Sequence, residues 1–145
     1  MPVSYHGRNR QADVRYPYYE RLVDMARDVR ILVVVTPGGK GTEHLVDRNV
    51  IDALGPEGYL INVSRGTTVD EDYMVDALVQ HRLAGAGLDV FEHEPDVPKA
   101  LLDLDHVVLQ PHSSSATVST RTAMGHVVLD NLAAHFAGKP LITPI

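Results

Sequence analysis

The chain has 145 residues, 44% of them hydrophobic and 22% charged, with a formal net charge of −6 and no cysteine. This size and balance give one domain with a real core and exclude a disordered chain, while the acidic balance argues against a nucleic-acid or anionic-membrane partner. Without cysteine there is no disulfide framework or thiolate chemistry, and the longest aliphatic run, Ile31–Val35, is far too short to cross a bilayer, so the expected compartment is the cytoplasm.

In chain order, Pro2–His6 reads as a short strand that opens almost at the first residue, which makes Met1 look like an internal methionine or a boundary. Gly7-Arg8-Asn9-Arg10 follows as a turn with two guanidinium groups. It is either a solvated basic loop or a phosphate grip, because arginine offers a planar fork matched to phosphate oxygens. Tyr18–Ala26 carries apolar residues at Tyr18, Leu22, Met25 and Ala26, near helical spacing. Arg30–Val35 reads as a buried strand ending in Thr36-Pro37-Gly38-Gly39, a plain turn or a place where backbone approaches a ligand closely. Val46–Leu54 suits a short helix stopped by Gly55-Pro56.

Tyr59–Val63, Ala84–Val90 and His106–Gln110 are short apolar runs of strand type. The first leads into Ser64-Arg65-Gly66. The second runs into Asp89 and the acidic turn Glu92-His93-Glu94-Pro95, and the third leads to Pro111-His112. Between the first two, Asp70 caps a helix over Glu71–Arg82 with Met74, Val75, Leu78 and Val79 on one face. Glu92–Asp105 is a loop. Ser115 is placed to cap a last helix, Thr117–Ala137, closed by Gly138-Lys139-Pro140. The pattern is a parallel α/β architecture, with 116–145 a long crossover helix and tail after the last strand. Ligands of open parallel sheets sit beyond the carboxyl ends of the strands. An arginine, acids and a histidine at three such ends therefore converge on one crevice.

Two rival chemistries fare worse. The chain has eight histidines, but no HxxxH or HxH pair and no compact ligand spacing, so no metal site is expected. No G-x-S-x-G elbow is present for a serine hydrolase, and Ser113–Ser115 reads as a turn and cap.

The segments Ile61-Asn62-Val63-Ser64-Arg65-Gly66, Ala86-Gly87-Leu88-Asp89-Val90-Phe91-Glu92-His93-Glu94-Pro95 and Gln110-Pro111-His112 resemble the signatures of the NAD(P)-dependent D-2-hydroxyacid dehydrogenases. The likeness runs over essentially the whole chain and is greatest toward the glyoxylate/hydroxypyruvate reductase branch. It implies a Rossmann-like doubly wound parallel sheet, with residues 1–115 a partial dinucleotide-binding domain and 116–145 the crossover helix and tail, and reduction of a small 2-oxo acid to the D-2-hydroxy acid. It makes His112 the general acid and base, Glu94 its acid partner and Arg65 the clamp on the substrate carboxylate. Arg8, Asn9, Arg10, Thr36, Pro37, Val63, Ser64, Arg65, Asp89, His112 and Ser114 are the implied cofactor contacts, with Asp89 near the nicotinamide carboxamide. Members preferring NAD carry an acid after the second strand. Here that place holds Arg8 and Arg10, which favours NADPH, with NADH the alternative. A homodimer is the implied assembly.

The resemblance also marks a departure. No G-x-G-x-x-G occurs, so the chain is expected to begin at the family's second strand, without the first strand, the glycine turn and the preceding substrate domain. In a sheet of order 3-2-1-4-5-6, Pro2–His6 and Tyr59–Val63 would flank the missing strand. By itself such a chain is expected to bind cofactor poorly and to be inactive, unstable or self-associating. A second class stays open, a dinucleotide-binding interaction module of the kind found among transcriptional corepressors.

Overall fold

The computed structural model describes residues 1–144. It divides into a unit ending at Pro111 and a second unit from His112 onward.

The first unit opens with a small parallel pair, β1 (Tyr5–His6) and β2 (Tyr18–Tyr19). Tyr18 and Tyr19, expected in a helix, are strand residues, and α1 starts only at Leu22 (Leu22–Asp28). Cross-strand contacts override the helical spacing. The Tyr5 amide donates to the Pro17 carbonyl at 2.9 Å, His6 Nδ1 donates to the Tyr19 carbonyl at 2.9 Å, and the Tyr5 and Tyr18 rings lie 5.2 Å apart.

The main sheet is four parallel strands in the order β3 (Ile31–Val34), β4 (Tyr59–Asn62), β5 (Gly85–Leu88), β6 (Val107–Leu109). The Rossmann-like parallel architecture is thus observed. One expectation fails. Ile31 pairs with Tyr59 and Val34 with Asn62, so the strand beside β4 is β3, whereas Pro2–His6 was expected nearest across one missing strand. Parallel pairing joins segments far apart in the chain, and no local signal fixes which one is the neighbour.

Alternation then separates the two faces of the sheet. Leu32, Val34, Leu60, Ala86 and Leu88 form one buried cluster with Met25 and Ala26 of α1 and Val50, Ile51 and Leu54 of α2 (Arg48–Leu54). Met74, Ala77 and Leu78 of α3 (Glu71–Val79) complete that layer. On the opposite face Ile31, Val33 and Val108 keep 43%, 51% and 62% of their surface exposed, so α1–α3 line one side only.

Caps set the helix boundaries. The Val50 amide donates to Asp47 at 3.0 Å, which starts α2 at Arg48 and frees Val46 for a parallel bridge to Val69. Asp70 accepts from the Tyr73 amide at 3.1 Å, as its sequence position indicates. α3 ends at Val79, short of Arg82, and His81 follows in the left-handed region at φ 54°.

The second unit is α4 (Val118–Phe136) and the tail that folds back on it. Its cap is Thr117, which accepts from the Thr120 amide at 3.1 Å, rather than Ser115. A cap must stand directly before the first helical residue for its oxygen to reach the second or third amide, and Ser115 lies one turn-step too early. Asn131 accepts from the amides of Ile142 and Thr143 at 3.0 and 3.2 Å and so pins the tail. No described residue of α4 is buried. Among the described residues no helix is long and apolar enough to cross a membrane.

Candidate active site

β4 ends in a residue that its apolar run does not foreshadow. Asn62 is only 2% exposed, yet all its polar atoms are engaged. Its Nδ2 donates to the Arg65 carbonyl at 3.0 Å, and its Oδ1 accepts from the Ser64 amide and hydroxyl at 3.1 and 3.0 Å. Thr68 closes the ring, its hydroxyl donating to the same Arg65 carbonyl at 2.6 Å. A fully satisfied buried network rigidifies the backbone it holds. Here it fixes Ser64-Arg65-Gly66 at the carboxyl end of β4.

The Arg65 side chain is exposed, and its Nη1 donates to the Ser64 carbonyl at 2.7 Å. Among the described residues no carboxylate pairs with it. Its aliphatic stem crosses the neighbouring turn so closely that a Cβ at Gly38 would lie 2.6 Å from Arg65 Cγ. That turn is Thr36-Pro37-Gly38-Gly39 at the end of β3, and Thr42 braces it by donating to the carbonyls of Pro37 and Gly39 at 2.7 and 3.1 Å.

The two strand ends together line an open pocket of about 700 Å³ that includes Val35–Gly39, Val63, Ser64, Arg65 and Thr67. Five sequence-derived site residues, Thr36, Pro37, Val63, Ser64 and Arg65, therefore share one cavity. Thr36 Oγ1 is buried there without a hydrogen-bond partner among the described residues. A buried hydroxyl left unsatisfied costs roughly 1–3 kcal/mol. The orphaned donor, the two glycines and the unpaired guanidinium fit a polar, anionic ligand such as a dinucleotide lying over the strand ends.

Asp89, 4% exposed, directly follows β5, and its amide donates to the Asn62 carbonyl at 3.0 Å. The acidic turn follows. There Glu94 accepts from the Phe91 amide at 3.0 Å. Gly66 brings the Arg65 turn against this segment: a Cβ on Gly66 would run into the Phe91 carbonyl and the Glu92 nitrogen. Gly66→Ala should therefore cost about 3 kcal/mol of stability, since backbone cannot yield as a side chain tip does. By contrast Gly125→Ala, in α4 with open space around its Cβ position, should gain about 0.5–1 kcal/mol. Urea unfolding of the two variants checks the contrast. Equal midpoints would contradict it.

Arg8, Asn9 and Arg10 are exposed on the loop after β1. Tyr5 pins that loop, its hydroxyl accepting from the Gln11 amide at 2.9 Å, while Tyr18 donates to the Gly7 carbonyl at 3.1 Å. Neither arginine has a carboxylate partner among the described residues. His112 and Ser114 belong to the second unit, where His112 has φ 52°. Their roles, like that of Glu94 beside His112, rest on the sequence resemblance. No three described His, Asp or Glu side chains gather as a metal-ligand set.

Sequence reasoning passed over Asn62, Thr68 and Glu71 as working residues. An asparagine inside an apolar strand was the available signal for the first, because a polar residue is buried only where it is satisfied. Glu71 stood only as the first residue of the helix over Glu71–Arg82.

A parallel sheet with an arginine turn and a glycine turn at adjacent strand ends defines a nucleotide-binding α/β domain. The chain belongs to the D-isomer specific 2-hydroxyacid dehydrogenase family, whose NAD binding domain matches residues 1–114. It is 53% identical over 144 residues to a hydroxyphenylpyruvate reductase of Plectranthus scutellarioides and 52% identical to a glyoxylate/hydroxypyruvate reductase of Arabidopsis thaliana, covering 99% of this chain and 46% of each relative. Among solved structures, the NADPH-dependent glyoxylate/hydroxypyruvate reductase of Sinorhizobium meliloti, in complex with NADP and malonate, matches with a TM-score of 0.95 and 48% identity, over 100% of this chain and 46% of that one. The chain thus spans about half the length of the relatives it matches.

Proposed function

We propose that these residues form the cofactor half of a reductase that converts a small 2-oxo acid, of the glyoxylate or hydroxypyruvate type, to the D-2-hydroxy acid. The observation that carries the proposal is the pocket at the ends of β3 and β4, whose lining holds an exposed arginine and a buried threonine hydroxyl, neither with its natural partner among the described residues.

NADPH, when bound, supplies the hydride. The protein's own groups do the rest. Arg65 holds the substrate carboxylate through paired charge-assisted bonds and polarises the keto oxygen. His112 gives that oxygen its proton, and Glu94 orients the imidazole and favours its charged form. Asp89 and Ser114 face the nicotinamide end, and Thr36, Pro37, Val63 and Ser64 line the cofactor's path. Arg8 and Arg10, with Asn9 between them, grip the 2′-phosphate, so NADPH is preferred over NADH. The family resemblance assigns a homodimer, and with the cysteine-free composition a cytoplasmic location.

Ligand-dependent melting tests the pocket. The full-length reductase proposed here should gain stability with NADPH and gain again with oxalate, a dicarboxylate that cannot be reduced. At a hundredfold excess over Kd each gain approaches about 2.7 kcal/mol. The oxalate gain should vanish in Arg65→Leu. A gain with NADPH and none with oxalate would point instead to a nucleotide-binding interaction module.

A further inference from the structure

One buried acid has no part in the chemistry just described. Glu71, the first residue of α3, is 7% exposed, and its Oε2 accepts from the Glu92 amide at 3.0 Å across 21 residues of sequence. Three features meet at Phe91 and Glu92. Glu94 takes the Phe91 N–H, Glu71 takes the Glu92 N–H, and the bare Gly66 backbone presses on the peptide itself. Gly66 belongs to the Arg65 turn, and Glu94 to the acidic turn after β5.

We infer that Glu71 is a positioning residue: by holding the Glu92 amide it fixes the acidic turn against the Arg65 turn and so sets Glu94 relative to the substrate arginine. The inference rests on the reading of Arg65 and Glu94 as site residues.

The energetics of Glu71 point the same way. Burial pushes its carboxyl above the usual carboxylate range, opposed by the Glu92 amide bond, which favours the charged form. Glu92 and Asp72 add to the upward push, and His93 lowers it; His44, 3.9 Å from Glu92, stands behind them. A raised folded-state value means that the stabilisation is present at acid pH and lost as pH rises through that value. Ionising Glu71 as pH rises is therefore a cost to the fold. An acid kept at a cost to stability beside a site is expected where geometry matters more than stability.

The test uses the full-length reductase proposed above, purified with Glu71→Gln and with Glu71→Ala. Glutamine keeps an acceptor of the same reach and removes the charge; alanine removes the acceptor. Amide exchange read by mass spectrometry should show protection at Phe91 and Glu92 falling roughly tenfold or more in Glu71→Ala and much less in Glu71→Gln, with Leu60 and Leu88 unchanged as controls for the fold. Glu71→Gln should melt no lower than the parent at neutral pH. With NADPH and a 2-oxo acid, kcat should fall in Glu71→Ala while KM for NADPH holds, and Glu71→Gln should recover most of it. Unchanged protection at Glu92 in Glu71→Ala would overturn the inference, as would lost protection with unchanged kcat. If Arg65→Leu also left turnover untouched, the reading of the site would fall instead.

Discussion

Replacing Arg65 with leucine should lower kcat/KM for a 2-oxo acid by about 10²–10³-fold, roughly 2.7–4 kcal/mol of transition-state stabilisation. Leucine keeps the Cβ and Cγ atoms that pack over Gly38, so the turn should survive the change. The Asn62 network grips the backbone of residues 64 and 65 and is likewise untouched. What disappears is the guanidinium, which among the described residues has no acidic partner to leave stranded. The loss should therefore appear in catalysis and not in the melting temperature. Lysine at this place should recover only a small part, because an ammonium is a point charge and cannot match a carboxylate with two parallel bonds. A change in kcat/KM within experimental scatter for both variants would remove Arg65 from the mechanism.

The second large effect is expected at the basic turn. Arg8→Gln combined with Arg10→Gln should weaken NADPH by about tenfold to a hundredfold per arginine, because a charge-assisted bond to phosphate is worth roughly 1.5–3 kcal/mol. NADH lacks the 2′-phosphate and should bind nearly as before. Both side chains are exposed, and the turn is held by the Tyr5 and Tyr18 hydroxyls, so the substitutions leave its shape in place. Because the partner is a phosphate, the NADPH preference should also shrink as salt is raised. Equal weakening of the two cofactors would make the turn structural.

These expectations rest on features that were unevenly legible in the sequence. The strands at Ile31–Val34, Tyr59–Asn62, Gly85–Leu88 and Val107–Leu109 lie inside the apolar runs that announced them, trimmed at their ends. So does the pocket. Thr36-Pro37 and Ser64-Arg65 were picked out as turns that follow strands, and the topology brings them together because β3 and β4 are neighbours. That adjacency was misread, since a parallel neighbour is chosen by burial across the whole core and leaves no mark on either segment. Tyr18 and Tyr19 sat on a helical spacing, yet their partners at Tyr5 and His6 drew them into a strand. The role of Glu71 was hidden for a similar reason: its partner amide lies 21 residues away, and no local pattern points to it.

The proposed reaction has a defined stereochemical outcome, which chiral analysis of the product reads directly. The full-length protein is incubated with NADPH and hydroxypyruvate, loss of the reduced cofactor is followed, and the product is resolved on a chiral column. NADPH consumption should be matched one to one by D-glycerate, with NADH a much poorer donor at equal concentration. NADPH that binds but is not consumed by hydroxypyruvate or glyoxylate, or a product of the L configuration, would contradict it.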